Sequence, residues 1–241
     1  MKLIFENAMI LAAGFGQRML PITLKVPKPL VHVDNKPLIF HTIDKLRNEK
    51  VKNILINTHY LSKKLTTAVK SKYADIGILY EKEILETGGG VFNALKSNFF
   101  INPHTPILVI NGDIFWIEND ESLFSQISNV WNNDLMDVLL VLEHKEKLKG
   151  YSGNGDFCFK NKKNEIGKIT RKTKNDFVFC GVQILHPRVF REIKYKKFSL
   201  KEIYLSLIKS GRIYGTIDNN TWFHISTPED LNYVNRWLKK K

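Results

Sequence analysis

Residues 8–23 read AMILAAGFGQRMLPIT, and VPKPL follows at residues 26–30. The apolar run 8–13 leads into a segment with glycines and prolines, which predicts a buried first strand followed by a loop. Gly14 and Gly16 let the backbone of this loop approach a ligand, with N–H groups free to face phosphate oxygens. Arg18 and Lys28 add two cations to the same loop. The stretch therefore predicts a strand-end loop that holds a phosphorylated ligand.

The spacing of this loop excludes two common phosphate-binding motifs. A Rossmann dinucleotide fingerprint needs a third glycine that leads straight into a helix. Here the next predicted helix begins only at Pro37, after three further prolines. A Walker A loop needs Gly-Lys followed by Ser or Thr, and this segment has no such sequence.

Strands and helices alternate through the first half of the chain. The predicted strands cover residues 8–13, 52–58, 76–80 and 106–110. The predicted helices start at Pro37 with Leu38, Ile39, Ile43 and Leu46 on one face, cover residues 61–72, and run from Thr87 to about Leu95. This alternation predicts an α/β fold with a Rossmann-like, mixed, mostly parallel sheet and helices on both faces.

The second half is richer in strands. The predicted strands cover residues 138–142, 156–160, 165–169, 177–185, 213–217 and 222–225, and the predicted helices cover residues 200–209 and the segment after Thr227. No linker interrupts the chain, so we expect a single domain over residues 1–241. Its core is predicted at about residues 1–135 and a β-rich portion at about 136–241.

Composition excludes several classes of protein. The 241 residues are 43% hydrophobic and 25% charged, which excludes disorder, collagen and coiled coil for the whole chain. No apolar run is long enough to span a bilayer, and Glu6 and Asn7 interrupt any signal-peptide core. Two cysteines cannot form a disulfide framework or a four-cysteine zinc site. These features favour a cytoplasmic, reduced protein without a membrane partner.

The net charge of +13 has two interpretations. One is a polyanionic partner such as a nucleic acid. The other is compositional drift, because the excess is mostly lysine, is scattered along the chain, and includes few of the arginines that read guanine and phosphate in bidentate fashion. Compositional drift is the favoured explanation of the net charge, so no nucleic-acid partner is expected.

The spaced motif L-A-A-G-x-G-x-R-x-x-P-x-T, followed by P-K-P, resembles that of the sugar-1-phosphate nucleotidylyltransferases. Within that family the sequence is most similar to the N-acetylmuramate-1-phosphate uridylyltransferases, with LETGGG at residues 85–90, NGD at 111–113, GDF at 155–157, and Gly181 followed by LHP at 185–187. Mannose-1-phosphate guanylyltransferases share the first motif and are the near alternative. The resemblance implies transfer of a nucleotidyl group from a nucleoside triphosphate, with UTP favoured, to a sugar-1-phosphate such as N-acetylmuramate-1-phosphate.

The resemblance also assigns roles to residues of this chain. Arg18 would neutralise the departing phosphates, Lys28 would bridge the α-phosphate and the sugar phosphate, and Asp113 would bind Mg²⁺, or Mn²⁺ in its place. The nucleotide would be held by Leu11, Ala12, Ala13, Gly14, Gly16, Arg18, Lys28, Glu81, Thr87 and Gly88. Of these, Glu81, Thr87 and Gly88 would form the wall that reads the base, because a glycine there lets the base lie flat on the backbone. The sugar phosphate would be bound, in the β-rich portion and beside it, by Asn111, Asp156, Lys172 and Gly181. Asp113 also follows a predicted buried strand, at the edge where open α/β sheets bind ligands.

One segment departs from the family pattern. A second metal-binding aspartate is expected in the pattern W-x-D-x-G-T, but residues 222–227 read WFHIST. His224 replaces the aspartate, and an uncharged imidazole is a poor ligand for Mg²⁺. Three outcomes stay open: Asp113 and the phosphates hold the metal alone, a softer ion such as Mn²⁺ is preferred, or activity is reduced. His224 itself either contacts the metal or is a partly buried structural residue.

Three functions therefore remain in competition. The first is the nucleotidyl transfer described above, and the second is a non-catalytic relative that binds a nucleotide sugar, which His224 suggests. The third, a nucleic-acid binder, rests only on the net charge. Release of pyrophosphate separates the first from the second. The base, the sugar and the oligomeric state are left open by the sequence.

Overall fold

The computed structural model describes residues 5–194 and 196–240. Its strands are β1 Asn7–Leu11, β2 His32–Val33, β3 Lys36–Pro37, β4 Asn53–Thr58, β5 Gly77–Tyr80, β6 Ile107–Asn111, β7 Phe115–Ile117, β8 Val138–His144, β9 Cys158–Lys163, β10 Ile166–Thr170, β11 Phe177–Leu185, β12 Ile213–Ile217 and β13 Thr221–Phe223. Its helices are α1 Leu38–Asn48, α2 Ser62–Lys72, α3 Glu86–Lys96, α4 Leu123–Val130, α5 Leu200–Ser210 and α6 Pro228–Leu238. Nine strands form one mixed sheet in the order β5-β4-β1-β6-β11-β8-β12-β10-β9.

The parallel end of this sheet determines where the functional loops meet. Strand β1 lies between β4 and β6 and is parallel to both. In this register Leu11 is the partner of Asn57 on one side and of Asn111 on the other. Because the carboxyl ends of parallel strands lie at one edge, the loop after β1, the end of β4 and the NGD turn after β6 are neighbours.

Helices cover both faces of the sheet, as predicted. On β1, Ala8 and Ile10 pack into a core with α1, α2 and α4, whereas Met9 packs into a second core with α3 and α5. The alternation of these side chains follows from the two-residue period of a strand. The predicted α/β class with a mixed sheet is therefore confirmed.

Strands from the second half extend the same sheet. Strand β11 is antiparallel to β6 and to β8, so the two halves of the chain share one sheet. The predicted strands and helices occur here with ends that differ by a few residues. The division at about residue 135 stays a prediction. Both cysteines are free and buried.

A small ribbon was not predicted. Strand β7 pairs with β13 outside the main sheet, and Trp116 stacks on Trp222 with ring centroids 5.1 Å apart. The three-residue strand pairs with a segment about a hundred residues away, so its local sequence carries little signal. The ribbon brings the end of β13, and hence His224, to the edge where β6 ends. None of the described helices has the length and apolar composition that a membrane span requires.

Candidate functional site

Two adjoining cavities lie at the carboxyl edge of the parallel strands. The first has a volume of about 270 Å³ and the second about 240 Å³. Lys28, Asn111 and Asp113 line both cavities and so form the wall between them. The arrangement offers room for two ligands that meet at one cation and one carboxylate.

The first cavity is built around the loop after β1. Its lining includes eight of the residues predicted to hold a nucleotide: Leu11, Ala12, Ala13, Gly14, Gly16, Lys28, Glu81 and Thr87. A Cβ on Gly14 would meet open space, so the backbone there faces the cavity directly. The remaining side chains of the lining come from Pro29, Asn57, Ile84, Glu86, Asn111 and Asp113.

Because Gly16 has no side chain, Lys28 can pack closely against the loop after β1. The Gly16 φ of +65° lies in the left-handed region that glycine adopts without strain, and the Gly16 carbonyl accepts a hydrogen bond from the Thr23 hydroxyl at 3.0 Å. A Cβ on Gly16 would lie 3.1 Å from the Lys28 Cβ. The lysine stem thus packs against the bare glycine.

Lys28 and Asp113 form an ion pair across the shared wall. The Lys28 Nζ lies 2.7 Å from the Asp113 Oδ2. The lysine side chain is 10% exposed and the aspartate side chain 38% exposed. Arg18 is exposed and lines the second cavity beside them. The structure therefore brings the three predicted catalytic residues, Arg18, Lys28 and Asp113, to one place.

The second cavity lies between the NGD turn and the β-rich portion. Of the residues predicted to bind the sugar phosphate, Asn111, Asp156 and Gly181 line it. The Asp156 Oδ2 accepts a hydrogen bond from the Phe179 N–H at 3.0 Å, which fixes the carboxylate at the wall. Aromatic side chains supply much of the remaining lining, namely Tyr151, Phe179, Trp222 and Phe223.

Two predicted site residues lie outside the linings of these two cavities. Gly88 is buried in the first turn of α3, where its N–H donates to the Phe198 carbonyl at 2.9 Å and a Cβ would lie 2.4 Å from the Phe198 ring. In this structure the glycine makes room for the segment before α5. Lys172 is exposed in the turn between β10 and β11, where its N–H donates to the Asn175 Oδ1 at 2.9 Å. Their proposed ligand contacts stay predictions.

His224 lines the second cavity together with Asp113. Burial lowers the pKa of His224 below its ordinary value; Asp230 opposes this, and Arg18 and Lys28 add to it. The imidazole is therefore uncharged at neutral pH. The ring packs edge-on against Tyr151 with centroids 5.4 Å apart.

Ser226 stands at the glycine position of the pattern W-x-D-x-G-T. It lines the second cavity together with His224. Its hydroxyl is buried without a hydrogen-bond partner among the described residues. Its backbone N–H donates to the Asp230 Oδ2 at 2.8 Å, as part of the capping of α6 that Thr227 begins. The predicted helix start at Thr227 is confirmed.

The sequence matches the family model described as nucleotidyl transferase over residues 7–240. The chain belongs to this family. It is similar to the N-acetylmuramate alpha-1-phosphate uridylyltransferase of Caulobacter vibrioides, with 31% identity over 92% of each chain. It is also 26% identical, over 93% of its length, to the mannose-1-phosphate guanylyltransferase catalytic subunit beta of Danio rerio, of which it spans 62%.

Solved structures show the same fold. The inositol-1-phosphate CTP transferase from T. maritima is 18% identical, with a TM-score of 0.75 that covers 100% of this chain and 97% of that one. A UDP-glucose pyrophosphorylase solved with UDP-glucose is 19% identical, with a TM-score of 0.75 that covers 98% and 100%. The predicted family resemblance and the enzyme class, a sugar-1-phosphate nucleotidylyltransferase, are confirmed.

Asn57 of this nucleotidyl transferase was not predicted as a site residue, yet it is 2% exposed and lines the first cavity. The sequence did contain a signal for Asn57, because it is a polar residue near the carboxyl end of the predicted strand 52–58. Asp113 was predicted from a similar position, at the carboxyl end of another strand. Tyr151 was missed for a different reason: it comes from a loop with no such pattern.

Proposed function

We propose that the chain transfers the uridylyl group of UTP to an N-acetylmuramate-1-phosphate-like sugar phosphate, forming a nucleotide sugar and releasing pyrophosphate. The choice of base and sugar is supported by the relative that matches this chain over 92% of both lengths. The observation that carries the reaction type is the wall of Lys28, Asn111 and Asp113 shared by two cavities. We place this reaction in the cytoplasm, where nucleoside triphosphates are supplied.

The geometry supports an in-line displacement. The first cavity holds the nucleoside triphosphate and the second holds the sugar, so that their phosphates meet at the shared wall. A sugar phosphate oxygen attacks the α-phosphorus, and the bond from that phosphorus to the departing pyrophosphate breaks. No covalent bond to the enzyme forms.

Cations at this wall offset the repulsion between two anionic substrates. Lys28 would contact the α-phosphate and the attacking phosphate together, which is supported by its position in the linings of both cavities. Arg18 lines the second cavity and the adjoining surface with Gly16 and Gln17, where it can neutralise the departing phosphates. The ion pair with Asp113 holds the Lys28 ammonium group at the shared wall. Phosphate oxygens of the incoming substrates then compete with Asp113 for this ammonium group.

The described residues supply only part of a binding site for a divalent metal ion. Within residues 5–194 and 196–240, no three His, Cys, Asp or Glu side chains cluster to hold an ion by themselves. Asp113 and His224 line one cavity and would hold Mg²⁺ or Mn²⁺ together with phosphate oxygens of the substrates. A bound metal would neutralise phosphate charge at the wall.

A screen of substrates tests the proposal. UTP, GTP, CTP and ATP are each combined with N-acetylmuramate-1-phosphate, mannose-1-phosphate and glucose-1-phosphate, and pyrophosphate release is measured with Mg²⁺ and with Mn²⁺. We expect the highest kcat/KM for UTP with N-acetylmuramate-1-phosphate. A preference for GTP with mannose-1-phosphate would instead favour the mannose-1-phosphate guanylyltransferase activity for which the Danio rerio relative is named. Nucleotide binding without pyrophosphate release from any pair would indicate a non-catalytic relative.

His224→Asp should shift the metal preference of the enzyme. The native imidazole is uncharged and softer than a carboxylate, so we expect a higher rate with Mn²⁺ than with Mg²⁺ at equal concentration. The aspartate adds a charged oxygen ligand, which should move the preference towards Mg²⁺ and lower the metal concentration for half-maximal rate. Both are read from metal titrations of the initial rate.

His224→Asn is the matched control for this change, because it offers an oxygen without a charge. It should fall between the native protein and His224→Asp. Identical metal profiles in all three proteins would place His224 outside the metal shell and leave it as a structural contact of Tyr151.

A further inference from the structure

A chain of hydrogen bonds crosses the base of the first cavity. The Ala12 N–H donates to the Asn57 Oδ1 at 2.8 Å, and the Asn57 Nδ2 donates to the Glu81 Oε1 at 2.7 Å. The Leu85 N–H donates to the Glu81 Oε2 at 3.1 Å. Asn57 and Glu81 are each 2% exposed. Two buried side chains thus connect the end of β1, the end of β4, the residue after β5 and the residue before α3.

The chemistry of these groups gives the chain one direction. A peptide N–H only donates and a carboxylate only accepts, whereas a carboxamide does both through different atoms. Ala12 therefore takes the oxygen of Asn57, whose NH₂ must then face Glu81. Both carboxylate oxygens of Glu81 are already acceptors for protein groups.

Gly90 of α3 makes room for this contact. A Cβ there would lie 2.9 Å from the Asn57 Nδ2 and 3.1 Å from the Glu81 Oε1. Such distances are tighter than side chains accept without displacement of the amide or the carboxylate. The third glycine of the LETGGG segment thus serves the hydrogen-bonded pair.

The backbone of Glu81 also supports the far side of the loop after β1. The backbone carbonyl of Glu81 lies 2.8 Å from the His59 Nδ1. Phe15 packs edge-on against His59 with ring centroids 5.7 Å apart, and it packs in a tilted arrangement against Tyr60 at 5.5 Å. The Tyr60 hydroxyl donates to the Thr23 carbonyl at 2.8 Å. The loop after β1 is therefore anchored at Ala12 through one part of Glu81 and at Phe15 through another.

We propose that Asn57 and Glu81 are positioning residues for the nucleotide, which act through the Ala12 peptide and the loop that follows it. This rests on the proposed function, in which the first cavity holds the nucleoside triphosphate. It differs from the base-reading role that the family resemblance gave to Glu81, because its carboxylate oxygens serve Asn57 and Leu85. A positioning role changes the affinity for every nucleotide and leaves the base preference as it was.

A charge swap tests the pair. In Glu81→Gln, the NH₂ of the new amide must face a donor, either the Asn57 NH₂ or the Leu85 N–H. In Asn57→Asp, two carboxylates face each other. The double variant restores all three hydrogen bonds, because Asp accepts from Ala12 and from Gln, and the Gln oxygen accepts from Leu85. Each single variant should raise the KM for UTP about tenfold or more, and the double variant should recover to within about threefold of the native value.

Two readouts separate positioning from general destabilisation. The KM for the sugar phosphate and the order of preference among the four nucleoside triphosphates should stay unchanged in all variants. Glu83→Gln, an exposed glutamate on the same segment, is the matched control and should behave as the native protein. Additive losses in the double variant, or an altered base preference in Glu81→Gln, would overturn the proposal.

Amide hydrogen exchange at Ala12 tests the pair without any turnover. In each single variant, repulsion between residues 57 and 81 should displace the side chain of residue 57 from the Ala12 N–H. Exchange measured by NMR on the full chain should therefore speed up in each single variant and slow again in the double variant. A native protein that turns over no substrate pair would overturn the proposed function, yet this exchange pattern would still report on the pair. Unchanged Ala12 exchange in the single variants would overturn the positioning role.

Discussion

Lys28→Ala should lower kcat by about 10²–10³-fold while the protein stays folded. Removal of one group that stabilises developing charge in an enclosed site typically has an effect of this size. Lys28 is the cation that lines both cavities, and only 10% of its side chain is exposed, so water cannot replace it fully. Pyrophosphate release at saturating substrate measures the loss, and calorimetry without substrate measures the melting temperature.

The neighbouring lysine provides the control. Lys25 lies in the same loop but is exposed and lines neither of the two cavities, so Lys25→Ala should keep near-native kcat. Lys28→Ala leaves Asp113 without its partner, but that carboxylate is 38% exposed and can be hydrated. We therefore expect a small change in melting temperature. Near-native turnover of Lys28→Ala would show that the shared wall is not the site of reaction.

The site residues that lie in contiguous motifs could be predicted from the sequence. Gly14, Gly16, Arg18 and Lys28 belong to one loop, whose position after a buried strand already indicates the ligand edge of the sheet. Asp113 has the same signature at the end of β6. What the sequence could not supply is the parallel register of β1 with β4 and β6, which puts these strand ends side by side.

The roles of glycines in α3 depended on distant parts of the chain. The LETGGG segment predicted backbone that faces a base, and this contact stays a prediction. The structure adds a packing role for two of its glycines, because a Cβ on Gly88 would collide with Phe198 and one on Gly90 would crowd Asn57. A glycine marks a close approach without saying what approaches. Lys172 lies outside the linings of the two cavities, in a turn whose backbone is held by the Asn175 side chain, and its contact with the sugar phosphate stays a prediction.

Asp113→Asn should also lower kcat by about 10²–10³-fold, and unlike Lys28→Ala it should lower the melting temperature clearly. Asparagine keeps the shape of the side chain, so the loss of turnover reports on the missing charge at the shared wall. The stability of the two variants differs because the partners differ in burial. Asp113→Asn leaves the nearly buried ammonium of Lys28 without a counter-charge, and an unpaired buried cation is costly.

Comparison of the two variants and their combination decides whether Asp113 acts on the substrates or only on Lys28. If it only orients the lysine, Lys28→Ala/Asp113→Asn should be no slower than Lys28→Ala alone, since the effects of coupled residues do not add. If Asp113 also holds the divalent metal, the double variant should lose a further factor in kcat, and Asp113→Asn alone should raise the metal concentration for half-maximal rate. We expect the second result, because Asp113 gives Oδ2 to Lys28 while a large part of its side chain faces the cavities. A double variant as fast as Lys28→Ala, with an unchanged metal titration in Asp113→Asn, would reduce Asp113 to a partner of the lysine.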